Sequence, residues 1–445
     1  MTKILMISAD SHGAVRPADY AEWLDPQYRD KVDELIKHTE FIEQNVWVTA
    51  PDERAMAAVD TRGSLARGGK YGLWDPELRL RELEAEGFVA EVIFPGDMSS
   101  VGMYYNNLNM PYPPDYRAAG CKAHNRWLAA FCSYAPKRMF GVAQMEPWPD
   151  MAACVREIHW ARKAGLGVIG LPRYAGIEPN QPPLTSDAWD PFWRACIDED
   201  FIVAIHTGNQ RKQGSEIEGI LQSNMKITGC PRSGADIGYN PGRRPLWQLI
   251  MSGVFDRFPE LRVTFTELRS EWVAPTLAHM ESRFDAIRFG DGDIQPPKLR
   301  PTDYWRRNCA VAGPFNPYEL SLRHQIGIET VMFGHDYPHP EGSWPNTRDW
   351  LRLGLQGVPE TEARLILGEN AARVYGFDLA ILAPLAERLG PAPSDLLGEH
   401  SVSEDIVDNL SWRANFFGRP YRYDASAIDA IMDEDERSLR RSVPA

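Results

Sequence analysis

Short apolar runs alternate with longer amphipathic segments along most of the chain. The first four runs are KILMISAD, VAEVIFPGD, RMFGVAQMEP and LGVIGLPR. Their continuous apolar character predicts strands that are buried on both faces. The segments between them, such as DYRAAGCKAHNRWLAAF and DMAACVREIHWARKAG, carry apolar residues three to four positions apart, which predicts amphipathic helices.

The same alternation continues through four further runs, FIVAIH, LRVTFTEL, NCAVAGPF and TVMFGHD, and closes with the helical segment PETEARLILGENAARVYGF. Eight strands that alternate with helices favour a closed (β/α)8 TIM barrel over an open sheet. We assign the barrel to residues 1–377 and expect residues 13–75 to form a loop insertion over the site. Residues 378–445 form a C-terminal extension whose aromatic content predicts packing on the barrel or on a neighbouring subunit.

Several predicted strands end in residues that bind metals or move protons. The first strand runs into Asp10 and His12, the fifth into His206, the sixth into Glu267 and the eighth into Asp336. Because the C-terminal ends of barrel strands meet at one face, these side chains are expected to converge. Asp10 and His12 are two residues apart, so on an extended strand they point the same way.

Oxygen and nitrogen ligands of this kind suit zinc, iron or manganese. Asp336 is expected to ligate the metal and to accept a proton from a bound water, whose pKa a metal lowers from about 15.7 to near 7. Each residue alone has a structural explanation, as the cap of a turn or a satisfied polar group at a strand end. Their combination on three or more strands favours a metal site.

Four motifs resemble the amidohydrolase-related family of the amidohydrolase superfamily: DSH in the first strand, AIHTG in the fifth, GHDYPHPEGSWPN in the eighth, and ILGENAARVYGF near the end of the barrel. The resemblance covers residues 3 to 377. It implies a TIM barrel with one divalent metal, usually zinc or manganese, held by Asp10, His12, His206 and Asp336. The family includes aromatic-acid decarboxylases and hydrolases of C–C or C–N bonds.

The chain departs from the superfamily's usual pattern at three positions. Asp10 stands where the common first-strand motif has a histidine, Glu267 where many members have a sixth-strand histidine, and His335 where related sequences often have serine or threonine. If Glu267 and His335 are additional ligands, the site holds two metals. On a regular strand, however, the His335 side chain faces away from the barrel interior.

Four further residues are candidates for roles around the site. Arg269 is expected to pair either with a substrate carboxylate or with Glu267. His124, in the helical segment AHNRWLAAF, is either a substrate-binding residue or a histidine of the helix surface. His339 and Glu341 are expected to brace the site from the loop after the eighth strand.

The leading functional hypothesis is a metal-dependent hydrolase in which Asp336 and His206 carry the catalysis. Its substrate is a small molecule with an amide, a lactone or a C–C bond next to a carbonyl. Three alternatives stay open: a non-oxidative decarboxylase of an aromatic or unsaturated carboxylic acid, a dinuclear iron or manganese oxygenase on the same fold, and a non-catalytic interaction protein.

Composition excludes several other classes. A net charge of -14 with a pI near 5.3 lacks the basic footprint of a nucleic-acid-binding protein. The N-terminus lacks the pattern of a signal peptide, and no run approaches the roughly 20 apolar residues of a membrane span. The six cysteines are scattered without metal-binding spacing, which indicates reduced packing residues in a cytoplasmic protein. The aromatic extension predicts a homo-oligomer or a hetero-oligomer with a related subunit.

Overall fold

The computed structural model describes residues 2–45, 53–96, 104–105, 112–178, 180–209, 240–288, 296–414, 416–417, 432–433 and 435. Within these ranges the strands are β1 Ile7–Ser8, β2 His12–Gly13, β3 Ala90–Pro95, β4 Met139–Ala143, β5 Val168–Gly170, β6 Ile202–His206, β7 Arg262–Thr266, β8 Cys309–Gly313 and β9 Val331–Phe333.

The strands form one parallel sheet that closes on itself. From β3 to β9 each strand pairs with the next in the chain, and both β1 and β2 pair with β3, so together they occupy one position of the barrel. The two ends of the sheet meet where the Ala9 amide donates to the Phe333 carbonyl at 3.0 Å and the Asp336 amide donates to the Asp10 carbonyl at 2.9 Å. The predicted eight-stranded (β/α)8 barrel is confirmed.

Helices follow the strands around the barrel. In chain order those outside the insertion and the extension are Pro76–Ala85, Pro114–Cys132, Met151–Lys163, Asp190–Asp198, Asn240–Met251, Val254–Arg257, Val273–Arg288, Pro301–Asn308, Pro317–Ser321, Arg323–Ile326, Thr347–Gly354, Glu360–Arg364 and Asn370–Tyr375. Asp75 caps the helix Pro76–Ala85, since its carboxylate accepts hydrogen bonds at 3.0 Å from the amides of Glu77 and Leu78. None of the helices in the described ranges has the length and apolar character that a bilayer crossing needs.

Alternate residues of each strand enter two different hydrophobic layers. On β6, Ala204 packs with the barrel interior, whereas Val203 and Ile205 pack in the layer beneath the helices. Both faces are therefore buried, which explains why the strands read as continuous apolar runs. The interior side of β6 continues directly to His206, which brings this imidazole to the C-terminal mouth of the barrel.

The insertion and the extension both contact the loop that follows β9. The insertion contains the helices Tyr20–Trp23, Val32–Asn45 and Glu53–Val59, and the extension contains Leu379–Leu389, Pro393–Leu396 and Glu404–Ala414. From the insertion, the Gly69 carbonyl accepts a hydrogen bond from the Tyr337 hydroxyl. From the extension, the buried Arg413 guanidinium donates to the Trp344 carbonyl at 2.8 Å. Residues 418–431 and 436–445 lie outside the described ranges, and packing against a neighbouring subunit stays a prediction.

Candidate metal centre

The first strand delivers its two polar side chains through a one-residue bulge. Ile7 of β1 pairs with Ala90, and His12 of β2 pairs with Phe94, so five steps along the first strand match four steps along β3. The extra residue shifts the side-chain alternation by one position. Asp10 and the imidazole of His12 are turned toward the same point, with Asp10 Oδ1 3.7 Å from His12 Nε2.

The bulge requires a glycine on the opposite side. Gly334, directly after β9, lies so close to the first strand that an added methyl group would clash with Asp10 Cβ and stand 2.7 Å from the Asp10 amide nitrogen. Any other residue at this position would displace Asp10. The glycine of the FGHD motif is therefore required by the close packing of this strand end against Asp10.

Two backbone carbonyls fix the orientation of the histidine rings. His12 Nδ1 lies 2.9 Å from the Pro95 carbonyl, and His206 Nδ1 lies 3.3 Å from the Thr207 carbonyl. Because a carbonyl oxygen only accepts, each Nδ1 carries the proton and each Nε2 presents its lone pair to the other side. Both Nε2 atoms lie 3.7 Å from Asp10 Oδ1.

Glu267 and Asp336 reach this point because their backbones turn sharply at the ends of β7 and β9. Both residues have left-handed backbones, with φ of 53° and 54°, a conformation that is rare and costly for a residue with a side chain. The turn places Glu267 Oε2 3.2 Å from His206 Nε2, and it places Asp336 Oδ1 3.1 Å from His12 Nε2. Two of the three carboxylates of the cluster thus stand on strained backbone.

His339 joins the same group. A tight turn, in which the His339 amide donates to the Asp336 carbonyl at 2.9 Å, folds the imidazole back over the strand end. Its Nδ1 lies 3.0 Å from Asp336 Oδ1, and its ring stacks on His12 with 3.8 Å between centroids. The sequence predicts only a bracing role for His339. The three-residue spacing from Asp336 across a proline turn was the signal that could have placed it in the cluster.

The donor set fits a divalent metal. One group of potential ligand atoms comes from His12, Glu267, Asp336 and His339, and a second comes from Asp10, His12 and His206; within each group the atoms lie within 4.8 Å of one another. Asp10 and Asp336 are completely buried. Buried carboxylates so close together are costly unless a cation or a hydrogen-bond donor compensates them.

The protonation states also suit metal binding. Burial alone raises the pKa of Asp336, but His339 and His12 outweigh it and hold the pKa of this carboxyl well below its usual range. Burial, reinforced by His339, lowers the pKa of His12. At neutral pH Asp336 is thus a carboxylate and His12 a neutral imidazole, the forms in which these residues ligate metals.

The structure does not bring His335 to the cluster. Its Nδ1 lies 2.7 Å from the Ser8 hydroxyl and 3.3 Å from the Asp10 carbonyl, on the outer side of the strand, and its ring packs 4.6 Å from that of Phe88. Burial lowers the pKa of His335 to about 3. The reason is the regular alternation of side-chain directions at the end of β9. Gly334 faces the first strand, so the side chain of the next residue, His335, points to the opposite side. The idea that His335 is an additional ligand is not supported.

Arg269 and His124 make contacts with other side chains. Arg269 Nε is 3.4 Å from carboxylate oxygens of both Glu271 and Glu319, so these acids are its ion-pair partners in the described structure. His124 is buried in the helix Pro114–Cys132, beside the rings of Tyr105 and Trp127. Burial lowers the pKa of His124 to about 3, so the ring is neutral. A substrate-binding role for either residue stays a prediction.

Comparison with known proteins identifies a family and a shared fold. The family model described as amidohydrolase matches residues 59–377. An amidohydrolase from Mycobacterium avium subsp. paratuberculosis K-10 shares the fold with a TM-score of 0.62 and 17% identity, over 84% of this chain and 99% of that chain. A 2,6-dihydroxybenzoate decarboxylase from Rhizobium matches with a TM-score of 0.57 and 16% identity, over 84% and 99%. A 5-carboxyvanillate decarboxylase from Novosphingobium aromaticivorans DSM 12444, complexed with manganese, matches with 0.56 and 21%, over 84% and 96%.

Proposed function

The chain belongs to the amidohydrolase family, and on that premise we propose that this metal-dependent enzyme is a hydrolase of a small organic substrate. The bond cleaved is an amide, a lactone or a C–C bond next to a carbonyl. The observation that carries the proposal is the position of Asp336, whose Oδ1 lies 3.1 Å from His12 Nε2 and 3.0 Å from His339 Nδ1.

We propose that Asp10, His12, His206 and Asp336 hold the metal, with Glu267 as a further ligand. Nitrogen and carboxylate ligands suit zinc first, and manganese or iron as well. When bound, a divalent ion supplies a water molecule that loses its proton near neutral pH and a Lewis acid that polarises a carbonyl.

The protein supplies the path of the proton. Hydrolysis removes a proton from water and delivers one to the leaving group, so a base needs a second position to which the proton can move. Asp336 is the base. His339 is the second position, because its Nδ1 lies against Oδ1 of Asp336. The stack of His339 on His12 keeps the two rings in place during the transfer.

The test is a screen of the metal-loaded protein against small amides, lactones and β-dicarbonyl compounds, followed by Asp336→Asn with the first substrate found. General-base catalysis contributes roughly 10² to 10⁴ in rate, so the variant is expected to lose at least about a hundredfold in kcat while its fold is retained. Asp349→Asn, in the helix Thr347–Gly354, is the matched control. A near-normal rate in Asp336→Asn would remove this residue as the base.

A decarboxylase is the second candidate. It is supported by the fold shared with the 2,6-dihydroxybenzoate and 5-carboxyvanillate decarboxylases and by the same pair, because His339 and Asp336 can deliver a proton to a carbon that has lost carbon dioxide. Carbon dioxide release from aromatic carboxylic acids, without hydrolysis of the amide and lactone panel, would favour it.

A dinuclear oxygenase is the third candidate. The two ligand groups together contain six side chains, enough donors for two metals, although His12, with its Nδ1 turned to the Pro95 carbonyl, can ligate only one of them. Nearly two equivalents of metal including iron, together with oxygen consumption, would favour this chemistry over hydrolysis.

A further inference from the structure

We infer that Arg173 binds a carboxylate of the substrate, at a position remote from the bond that reacts. The inference rests on the proposed function, because the pocket that Arg173 lines opens beside one of the proposed metal ligands. It adds a substrate class: a small molecule that carries an acidic group besides its reactive bond.

The pocket lies at the C-terminal ends of β3 to β6. Its lining includes Phe94, Gln144, Leu171, Arg173 and His206, and the space open to water-sized groups is about 40 Å³. His206 belongs to the metal-binding cluster as well, and the ring of Phe94 lies 4.7 Å from the His206 ring. A group held here is therefore next to the cluster.

The position of Arg173 is fixed relative to His206 by one buried side chain. Asn209 accepts a hydrogen bond from the His206 amide at 2.8 Å and donates to the Leu171 carbonyl at 2.8 Å, so it ties the end of β6 to the segment that carries Arg173. The guanidinium then lies against Gly208, where an added methyl group would stand 2.8 Å from Arg173 Nη2. The backbone leaves room for the arginine on this side.

The charge of Arg173 is not neutralised by the described part of the protein. No carboxylate of the described residues forms an ion pair with it, and its Nε is buried without a hydrogen-bond partner there. Arg117 shows the contrast, since it pairs with both Glu146 and Glu178 at 2.7 and 2.9 Å. A partly buried guanidinium with free donors is a strong site for an oxyanion, and its planar fork matches a carboxylate.

The pocket has room for a carboxylate, since the space open to water-sized groups is about 40 Å³. The amide of Gln144 adds a second polar group to the lining, and Gly170 leaves space for it, because a methyl group there would stand 2.6 Å from Gln144 Nε2. The acidic group thus occupies the pocket, and the rest of the substrate extends toward His206.

The experiment is calorimetric titration of the metal-loaded, full-length protein with benzoate, with neutral benzamide and with inorganic phosphate. The variants are Arg173→Gln, Arg173→Lys and, as the control, Arg156→Gln, an exposed arginine of the helix Met151–Lys163. We expect benzoate to bind more tightly than benzamide and phosphate. Affinity for benzoate should fall by roughly tenfold or more in Arg173→Gln, fall less in Arg173→Lys, and stay unchanged in Arg156→Gln.

Equal benzoate affinity in the wild type and Arg173→Gln overturns the inference, as does a failure of benzoate to bind. Tighter binding of phosphate than of benzoate overturns the assignment of a carboxylate. Metal content, measured on each sample, separates this inference from the proposed function. Arg173-dependent binding by a protein that takes up no metal would refute the metal-dependent hydrolase and leave the anion site standing, whereas normal metal content with Arg173-independent binding refutes the anion site alone.

Discussion

Replacing Arg79 by methionine is expected to destabilise the first strand and the metal centre together. Arg79 lies in the helix Pro76–Ala85 and is buried. Its Nε lies 2.9 and 3.0 Å from the two Glu91 oxygens, and its Nη2 donates to Glu91 at 2.7 Å. The remaining nitrogen, Nη1, donates to the His12 carbonyl at 2.6 Å. One side chain therefore connects β3 to the backbone of a proposed ligand.

The expected magnitude follows from burial. Both members of the pair are almost completely inaccessible, at 1% and 0% side-chain exposure. Arg79→Met leaves Glu91 as an uncompensated buried charge, and breaking such a pair costs about 3–5 kcal/mol. The double variant Arg79→Met/Glu91→Leu removes both charges and should recover much of this loss, although the His12 carbonyl still lacks its donor, at a cost of about 1–3 kcal/mol.

The assay is urea denaturation of metal-free protein, with metal content measured separately after reconstitution. Arg156→Met, at an exposed position, is the control and should change the unfolding free energy by no more than about 0.5 kcal/mol. We expect Arg79→Met to be the least stable variant and to retain less metal than the wild type. If Arg79→Met unfolds within about 1 kcal/mol of the wild type, the buried pair does not hold the strand as argued.

Two further predictions concern the site and its surroundings. Gly334→Ala forces a methyl group against Asp10, so it should destabilise the fold by about 1–3 kcal/mol and lower metal content. Gly354→Ala, whose methyl makes only ordinary contacts, at 3.5 Å with Leu320 and 4.0 Å with Phe416, is the control and should keep its metal. His124 has a pKa of about 3 in the fold against about 6.5 when unfolded, so its contribution to stability is complete above pH 6.5 and is lost as the pH falls toward 3. His124→Asn should therefore flatten the acid side of the stability curve by up to about 1.4 kcal/mol per pH unit in urea denaturation series, and an unchanged slope would show that His124 is not a buried neutral imidazole.

The strands and the convergence of their ends could be predicted from the sequence because each depends on local pattern. Continuous apolar runs indicated strands buried on both faces, and the two-residue spacing of Asp10 and His12 indicated a common direction. The same alternation predicted that His335 faces away from the barrel interior, and the structure places it against Ser8.

The remaining features depend on contacts between distant segments or on irregular backbone. The bulge between Ile7 and His12 is visible only when its register against β3 is known. The contact of His339 with Asp336 depends on the left-handed backbone of Asp336 and on the tight turn that follows it. Neither feature can be predicted from the residue types alone. Likewise, the ion pair of Arg79 with Glu91 joins a helix to a strand and becomes visible only when both are in place.

Elemental analysis of the purified protein, after incubation with zinc, manganese or iron and removal of excess metal, tests the metal centre most directly. We expect at least about one equivalent per chain in the wild type and loss of most of it in His12→Ala and in His206→Ala, because both Nε2 atoms face the same carboxylate. His324→Ala, at an exposed position, should keep the wild-type content. Full metal content in both His12→Ala and His206→Ala, or no bound metal in the wild type under any of these conditions, would contradict the assignment of the site.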